Sequence, residues 1–349
     1  MAESDIKKET QKVLHSTASN IVVLLEHIRP YEGSDQPIQD FSGPKFKEEI
    51  NELATAIDKE VTRFIIACKP PALDKEICEL CPKINAGLFH LVQKVNQVPK
   101  KAGKTYLDAV RKAVCRSLIS AIGLINSFIK EKVEVDKSAL YEVSYTSASG
   151  IFWEHCKALA QIPADNRSAV VLAWKNSVGN LVKDAVEELQ QTLEEYQTDA
   201  NDEKAKQEEE AFSDDSMDDD FNPEIPPGRL EEARKIQRLV TVAKHTCDKV
   251  GLRCIRDCGQ LDEERIIWLD RLVDLGKPVQ DSVDDLVATL FINDDSWKRQ
   301  AEMESSKLTK ALLDLITLAI TFVDDSHLQW FELCRKQLDA TQLSTKVVR

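Results

Sequence analysis

The chain has 349 residues, with 60 acidic and 46 basic side chains, a formal net charge of −14 and 42% hydrophobic content. It is long enough for two cores, or for one long helical array with an insertion. With only 11 Gly, 12 Pro and 6% aromatics, the composition argues against an all-β fold and against a glycine-rich nucleotide loop.

Apolar residues at three- and four-residue steps predict a first helix over about 4–28, carrying Ile6, Val13, Thr17, Ile21, Leu24 and Ile28 and followed by Pro30. A second runs over about 45–68 (Phe46, Ile50, Leu53, Ile57, Val61, Phe64, Ile65) and ends at Pro70-Pro71. A third covers about 73–97, where Pro82 predicts a kink or marks the true first turn. A fourth spans about 104–131 on Leu107, Val110, Val114, Leu118, Ile122, Ile125 and Ile129. After a Ser-rich segment over 138–160 comes a long helix from near Asp165, with Val170, Trp174, Val178, Leu181, Ala185, Leu189 and Leu193 in step. This stripe makes Trp174 an expected anchor of an N-terminal bundle. Farther on, helices are predicted over about 229–257, 261–275, 279–292 (past a Gly276/Pro278 break), 295–323 and 326–342. No stretch alternates as strands do. The expected fold is all-α: elongated antiparallel bundles in two helical halves, 1–198 and 225–349.

Between them, residues 199–224 carry twelve acids and two lysines, leaving only four net negative charges for the rest of the chain. So little apolar area there predicts a disordered acidic tether. Ser213 and Ser216 each precede acidic pairs, the context read by acidophilic kinases of the casein kinase 2 type. An apolar run from Leu312 to Val323 is broken by Asp314, Thr317 and Thr321 and is too short to span a bilayer. The first residues lack a signal-peptide pattern, so an intracellular, soluble, membrane-free protein is expected.

No nucleophile elbow, zinc-protease helix, phosphate loop or dinucleotide fingerprint occurs, so neither catalytic residues nor a cofactor site is expected. Nine cysteines, an odd number scattered through helical patterns, read as reduced core thiols. The best metal candidates are His245, Cys247, Cys254 and Cys258, but the three thiols complete the apolar stripe of one helix and lack paired knuckles. Cys78 and Cys81 form a single CxxC pair outside any βαβ context. No metal is therefore expected.

Two basic stretches stand out. One gathers Lys94, Lys100, Lys101, Lys104, Arg111, Lys112 and Arg116. The other lines a helix with Arg234, Lys235, Arg238, Lys244, Lys249, Arg253 and Arg256. A solvated face is favoured over direct nucleic-acid binding, given the overall acidity. The stripe of Arg234, Arg238, Lys249 and Arg253 also begins close enough for Asp214–Asp220 to lie back on it as an electrostatic latch.

At Gln161-Ile162-Pro163-Ala164-Asp165-Asn166-Arg167, running on through Lys183-Asp184-Ala185-Val186-Glu187-Glu188, the sequence resembles the cyclin-D-binding protein family (GCIP, also called Maid). A second match is Ser282-Val283-Asp284-Asp285-Leu286, and the order of elements is alike over most of the chain. The resemblance implies a helical protein that binds D-type cyclins and helix-loop-helix transcription factors, restrains cell-cycle progression and occurs in nucleus and cytoplasm. The QIP–DN segment also has a purely local reading: Pro163 closes one helix and Asp165 or Asn166 N-caps the next. A non-enzymatic interaction protein is the expected function. The alternatives are a nucleic-acid-associated regulator using its basic faces, or an adaptor in the vinculin manner. Limited proteolysis should cut first within 199–224. A first cut inside 45–68 or 165–195 would contradict this division.

Overall fold

The computed structural model describes residues 2–35, 41–68, 74–129, 132–134, 144–206, 225–226 and 228–346; within these, only the backbone course is described at 2–7, 74, 196–206 and 339–346. The described residues form helices and no named strand, with one isolated bridge between Ser34 and Pro99. Two separate apolar cores divide the chain into the units Met1–Ala169 and Val170–Arg349.

The first unit contains α1 (Ala2–Ile28), α2 (Gly43–Ala67), α3 (Asp74–Val95), α4 (Lys104–Asn126) and α5 (Tyr145–Leu159). They pack as a closed ring, α1 against α3, α3 against α2, α2 against α5, α5 against α4 and α4 back on α1. The predicted stripes do the packing: Phe46, Ile50, Ile57, Val61, Phe64 and Ile65 of α2 are all buried. Ser42 accepts from the Lys45 amide to start α2, with Pro44 in the first turn. Gly87 lets α3 close on α2, since a Cβ there would stand 2.8 Å from Ile57 Cγ1. Pro82 lies well inside α3 rather than in its first turn.

The second unit begins within α6 (Asn166–Trp174). A π-helical segment, Lys175–Gly179, leads on to α7 (Asn180–Lys206). Then follow α8 (Leu230–Lys249), continued by a π-helical Val250–Arg256, α9 (Glu263–Ala288), α10 (Trp297–Ala319) and α11 (Asp325–Lys346). Helices α7, α8, α10 and α9 pack in a ring, and α11 lies on α10.

Five features depart from the sequence reading. Core membership passes to the second unit at Val170, not at 198, because Val170, Trp174, Val178, Val182, Val186, Leu189 and Leu193 pack with α8 and α9 residues. Trp174 therefore anchors the second core and not the first. Periodicity marks a residue as buried without saying which core receives it. Leu181 turns outward at 41% exposure while Val182 is fully buried. The step widens at the π segment, four residues from Val178 to Val182 in place of three, while Ala185, Leu189 and Leu193 stay buried as predicted. Finally, α9 runs unbroken through Gly276 and Pro278. Of the expected acidic tether, 199–206 continues α7 as helix, while 207–224 lies outside the described residues.

The Trp174 indole shows why Gly276 sits in mid-helix. A Cβ at Gly276 would stand 2.6 Å from the ring at Cζ3, and one at Gly251 3.2 Å from Nε1. The indole N–H donates to the Cys247 carbonyl oxygen at 3.2 Å. Replacing Trp174 by Ala should cost about 3–5 kcal/mol. In amide hydrogen exchange, the loss of protection should fall on α7, α8 and α9. A cost under about 1 kcal/mol would contradict the anchor role.

Candidate functional site

The QIP–DN segment is a structural knot. Asp165 N-caps α6, accepting from the Ser168 amide at 2.7 Å, while the Ser168 hydroxyl lies 3.0 Å from the Asp165 amide. Asn166, 2% exposed, caps a different helix: its Oδ1 accepts from the Tyr106 amide of α4 at 3.0 Å. The N-cap position of α4 is Gly103, at φ 105°, which has no side chain to do this itself. A Cβ there would stand 2.3 Å from Asn166 Cγ, so the glycine and the asparagine require each other. Ile162 is buried and Gln161 exposed, and Pro163 separates α5 from α6. The carbonyl of Ala164 leaves no room for a Cβ on Gly43, where α2 begins. Tyr106 is buried among Phe41 and Phe46, and its phenol is pushed well above the usual range by burial and by Asp165.

The second motif is likewise mostly packing. Val283 and Leu286 are fully buried, whereas Asp284 and Asp285 point outward. Asp284 accepts from the Gln280 amide, and its carboxyl is raised by partial burial and by Asp281 and Asp285. Only Ser282 reaches a cleft, an open one of about 260 Å³ between α9 and α10 with Pro278, Lys307 and Lys310 among its lining.

The thiol candidates do not converge on a site. His245 is exposed, while Cys247 and Cys254 are buried and pushed up to about 12 by desolvation. Cys81 is buried and raised likewise to about 12, with Cys78 half-buried beside it. Thiols so far from ionising are poor nucleophiles and poor ligands.

The basic stretches divide more informatively. In the first, Lys94 pairs with Glu49 at 2.9 Å and Lys100 with Asp35 at 2.9 Å, while Arg111 binds Asp108 and the Arg29 carbonyl. Along α8 and its π-helical extension five of the seven cations are also engaged. Lys235 meets Glu231 and Glu232 at 3.2 and 3.1 Å, Lys244 meets Asp248 at 2.9 Å, and Arg253 and Arg256 share Asp257. Lys249 lies 5.3 Å from the centre of the Trp330 ring. Arg234 and Arg238, one turn apart and exposed, have no partner among the described residues. They open onto a groove of about 310 Å³ between α7 and α8, completed by Gln190, Leu193, Glu194 and Gln237. Its single carboxylate, Glu194, is taken by the Gln190 amide at 2.8 Å.

The structure thus splits the predicted basic face. Arg234 and Arg238 stand at the groove, while Lys249 and Arg253 are engaged elsewhere. Ser213 and Ser216, and the Asp214–Asp220 run expected to latch onto this face, lie outside the described residues. Sequence reading missed Gln190 and Gln237, since nothing in a single sequence pairs one helix face with another. It also missed Arg229, whose guanidinium donates to the carbonyls of Leu290 and Ile292 at 2.9 and 2.5 Å and lies 4.4 Å from the Trp297 ring.

Residues 49–195 match the family model described as Grap2 and cyclin-D-interacting, N-terminal. The cyclin-D1-binding protein 1 homolog of Xenopus laevis is 26% identical over 345 residues, covering 95% of this chain and 97% of that protein. The homolog of Danio rerio is 27% identical over 345 residues, covering 95% and 94%. The cyclin-D1-binding protein 1 of Homo sapiens is 25% identical over 285 residues, or 80% and 77%.

Replacing Asn166 by Ala removes a buried cap and leaves the Tyr106 amide unpaired. A loss of about 1–2 kcal/mol in chemical denaturation is expected. Asp165→Ala should cost less, since the α6 cap is more exposed to water. An Asn166 variant as stable as the unaltered chain would contradict the knot.

Proposed function

The chain belongs to the cyclin-D-binding protein family, and from that premise we propose that it is a non-enzymatic interaction protein whose partner is a D-type cyclin. In this reading it restrains cell-cycle progression and transcription, acts in cytoplasm and nucleus, and takes helix-loop-helix proteins as further partners. The observation that carries the reading is the extent of the similarity. Alignment with the frog and fish proteins runs through both helical units and supports the reading for the chain as a whole. The architecture supports recognition by surface rather than by enclosure. Long helices bury one stripe and present the other to solvent, and the two clefts described above are open and at or below the small end of ligand pockets.

The engaged cations of both basic stretches favour a protein partner over nucleic acid. Phosphate binding draws on free lysines and arginines in number, whereas most of these already face a carboxylate, a carbonyl or a ring. Isothermal titration of the full-length chain with a purified D-type cyclin should show saturable binding with Kd about 1 μM or tighter. Duplex DNA at the same ionic strength should give none. No binding of the cyclin, together with salt-sensitive binding of the duplex, would overturn the reading in favour of a nucleic-acid regulator.

A further inference from the structure

Arg234 and Arg238 stand apart because their neighbours are so consistently neutralised. On one helix and its extension, Lys235, Lys244, Arg253 and Arg256 all have carboxylates within 3.2 Å, and Lys249 has an aromatic face. The two exceptions lie side by side on the same groove, four residues and therefore one turn apart. Across that groove α7 is rich in acids, yet Glu194 is its only carboxylate in the lining, and a Gln amide holds it. Two exposed guanidinia without anions, in a cleft walled by Gln190 and Gln237 and floored by buried Leu193, form an unfilled set of donors. Arginine presents a planar fork that matches carboxylate bidentately, and two forks at this spacing match two acids on one short segment.

We infer that the α7–α8 groove is a docking site for an acidic segment of a partner protein, with Arg234 and Arg238 as its two anchors. The inference rests on the reading of the chain as an interaction protein and names what that interaction recognises. Charge complementarity is local here and not global. At a net charge of −14 the chain as a whole repels acidic peptides. Screening over about 8 Å at physiological salt confines the attraction to the groove. A phosphate backbone fits the groove less well, because its evenly spaced charges would run past Glu194 and the other acids of α7.

The test uses the full-length chain and a fluorescein-labelled synthetic peptide alternating aspartate pairs with single leucines, read by anisotropy at physiological ionic strength. The unaltered chain should bind it saturably. R234A/R238A should weaken binding by at least about tenfold. R234K/R238K should fall between the two, because charge is kept and the forks are lost. R256A removes a cation from the same helical run but away from the groove, and should stay within about twofold. Circular dichroism should show all variants folded, since these residues are exposed.

Binding by R234A/R238A equal to that of the unaltered chain overturns the inference, as does no binding by the unaltered chain. Binding that appears only after deletion of 207–224 makes that acidic stretch the occupant and likewise overturns partner docking. Displacement of the peptide by duplex DNA at lower concentration than by unlabelled peptide overturns the choice of partner. The functional reading fails separately, through the cyclin titration. A chain that binds a D-type cyclin equally well with and without Arg234 and Arg238 keeps the function and loses the groove.

Discussion

The indole of Trp174 is the constraint around which the second unit is arranged. Burying such a side chain removes on the order of 200 Å² from water, worth up to about 5 kcal/mol. A ring that size fits between helices only where neighbours give way. Gly251 gives way on one helix and Gly276 on another, and the Cys247 carbonyl satisfies the indole N–H that burial would otherwise leave unpaired. Two π-helical segments follow at once, one directly after Trp174 and one shortly after Cys247. The tryptophan, the two glycines and the two wide turns thus form one packing solution spread over three parts of the sequence.

How much of this could be read beforehand depends on the range of the interaction. The stripes on α2 and α4 were legible because helical periodicity is local, and burial follows it with Leu53 of α2 the half-buried exception. The continuity of α9 was not legible. Gly276 and Pro278 are breakers by local propensity, and only the distant Trp174 ring explains the glycine. Leu181 was misplaced for a related reason: a π turn changes the period without announcing itself in composition. The motif residues were found, but their roles were half right. Asp165 caps its own helix as expected, whereas Asn166 caps a helix sixty residues away. Of the candidate surface, the arginines were visible in sequence. Their isolation was not, because it depends on which acids stand beside the other cations.

Charge is treated differently in the interior and on the groove. Arg229, 8% exposed, faces two carbonyl oxygens and the Trp297 ring, so a cation enters the unit without a buried carboxylate. It ties the start of α8 to the turn after α9, at the point where the chain re-enters from its acidic stretch. Arg234 follows little more than one turn later in a groove and meets nothing. The same side chain type serves as a fastener at one position and as an open donor at the next.

The π-helical segment between α6 and α7 carries one further implication, for insertions and deletions. A wide turn of this kind is equivalent to one extra residue spliced into an α-helix. Deleting a single residue within Lys175–Gly179 would let the turn relax to the ordinary period and leave everything beyond it in phase, whereas the same deletion in a regular α-helix would rotate everything beyond it by about 100°. Leu181 would stay outward and Val182 inward, and the groove-facing side of α7, with Gln190 and Glu194, would still meet Arg234 and Arg238. Relatives one residue shorter in this segment would then share both cores and the same seam.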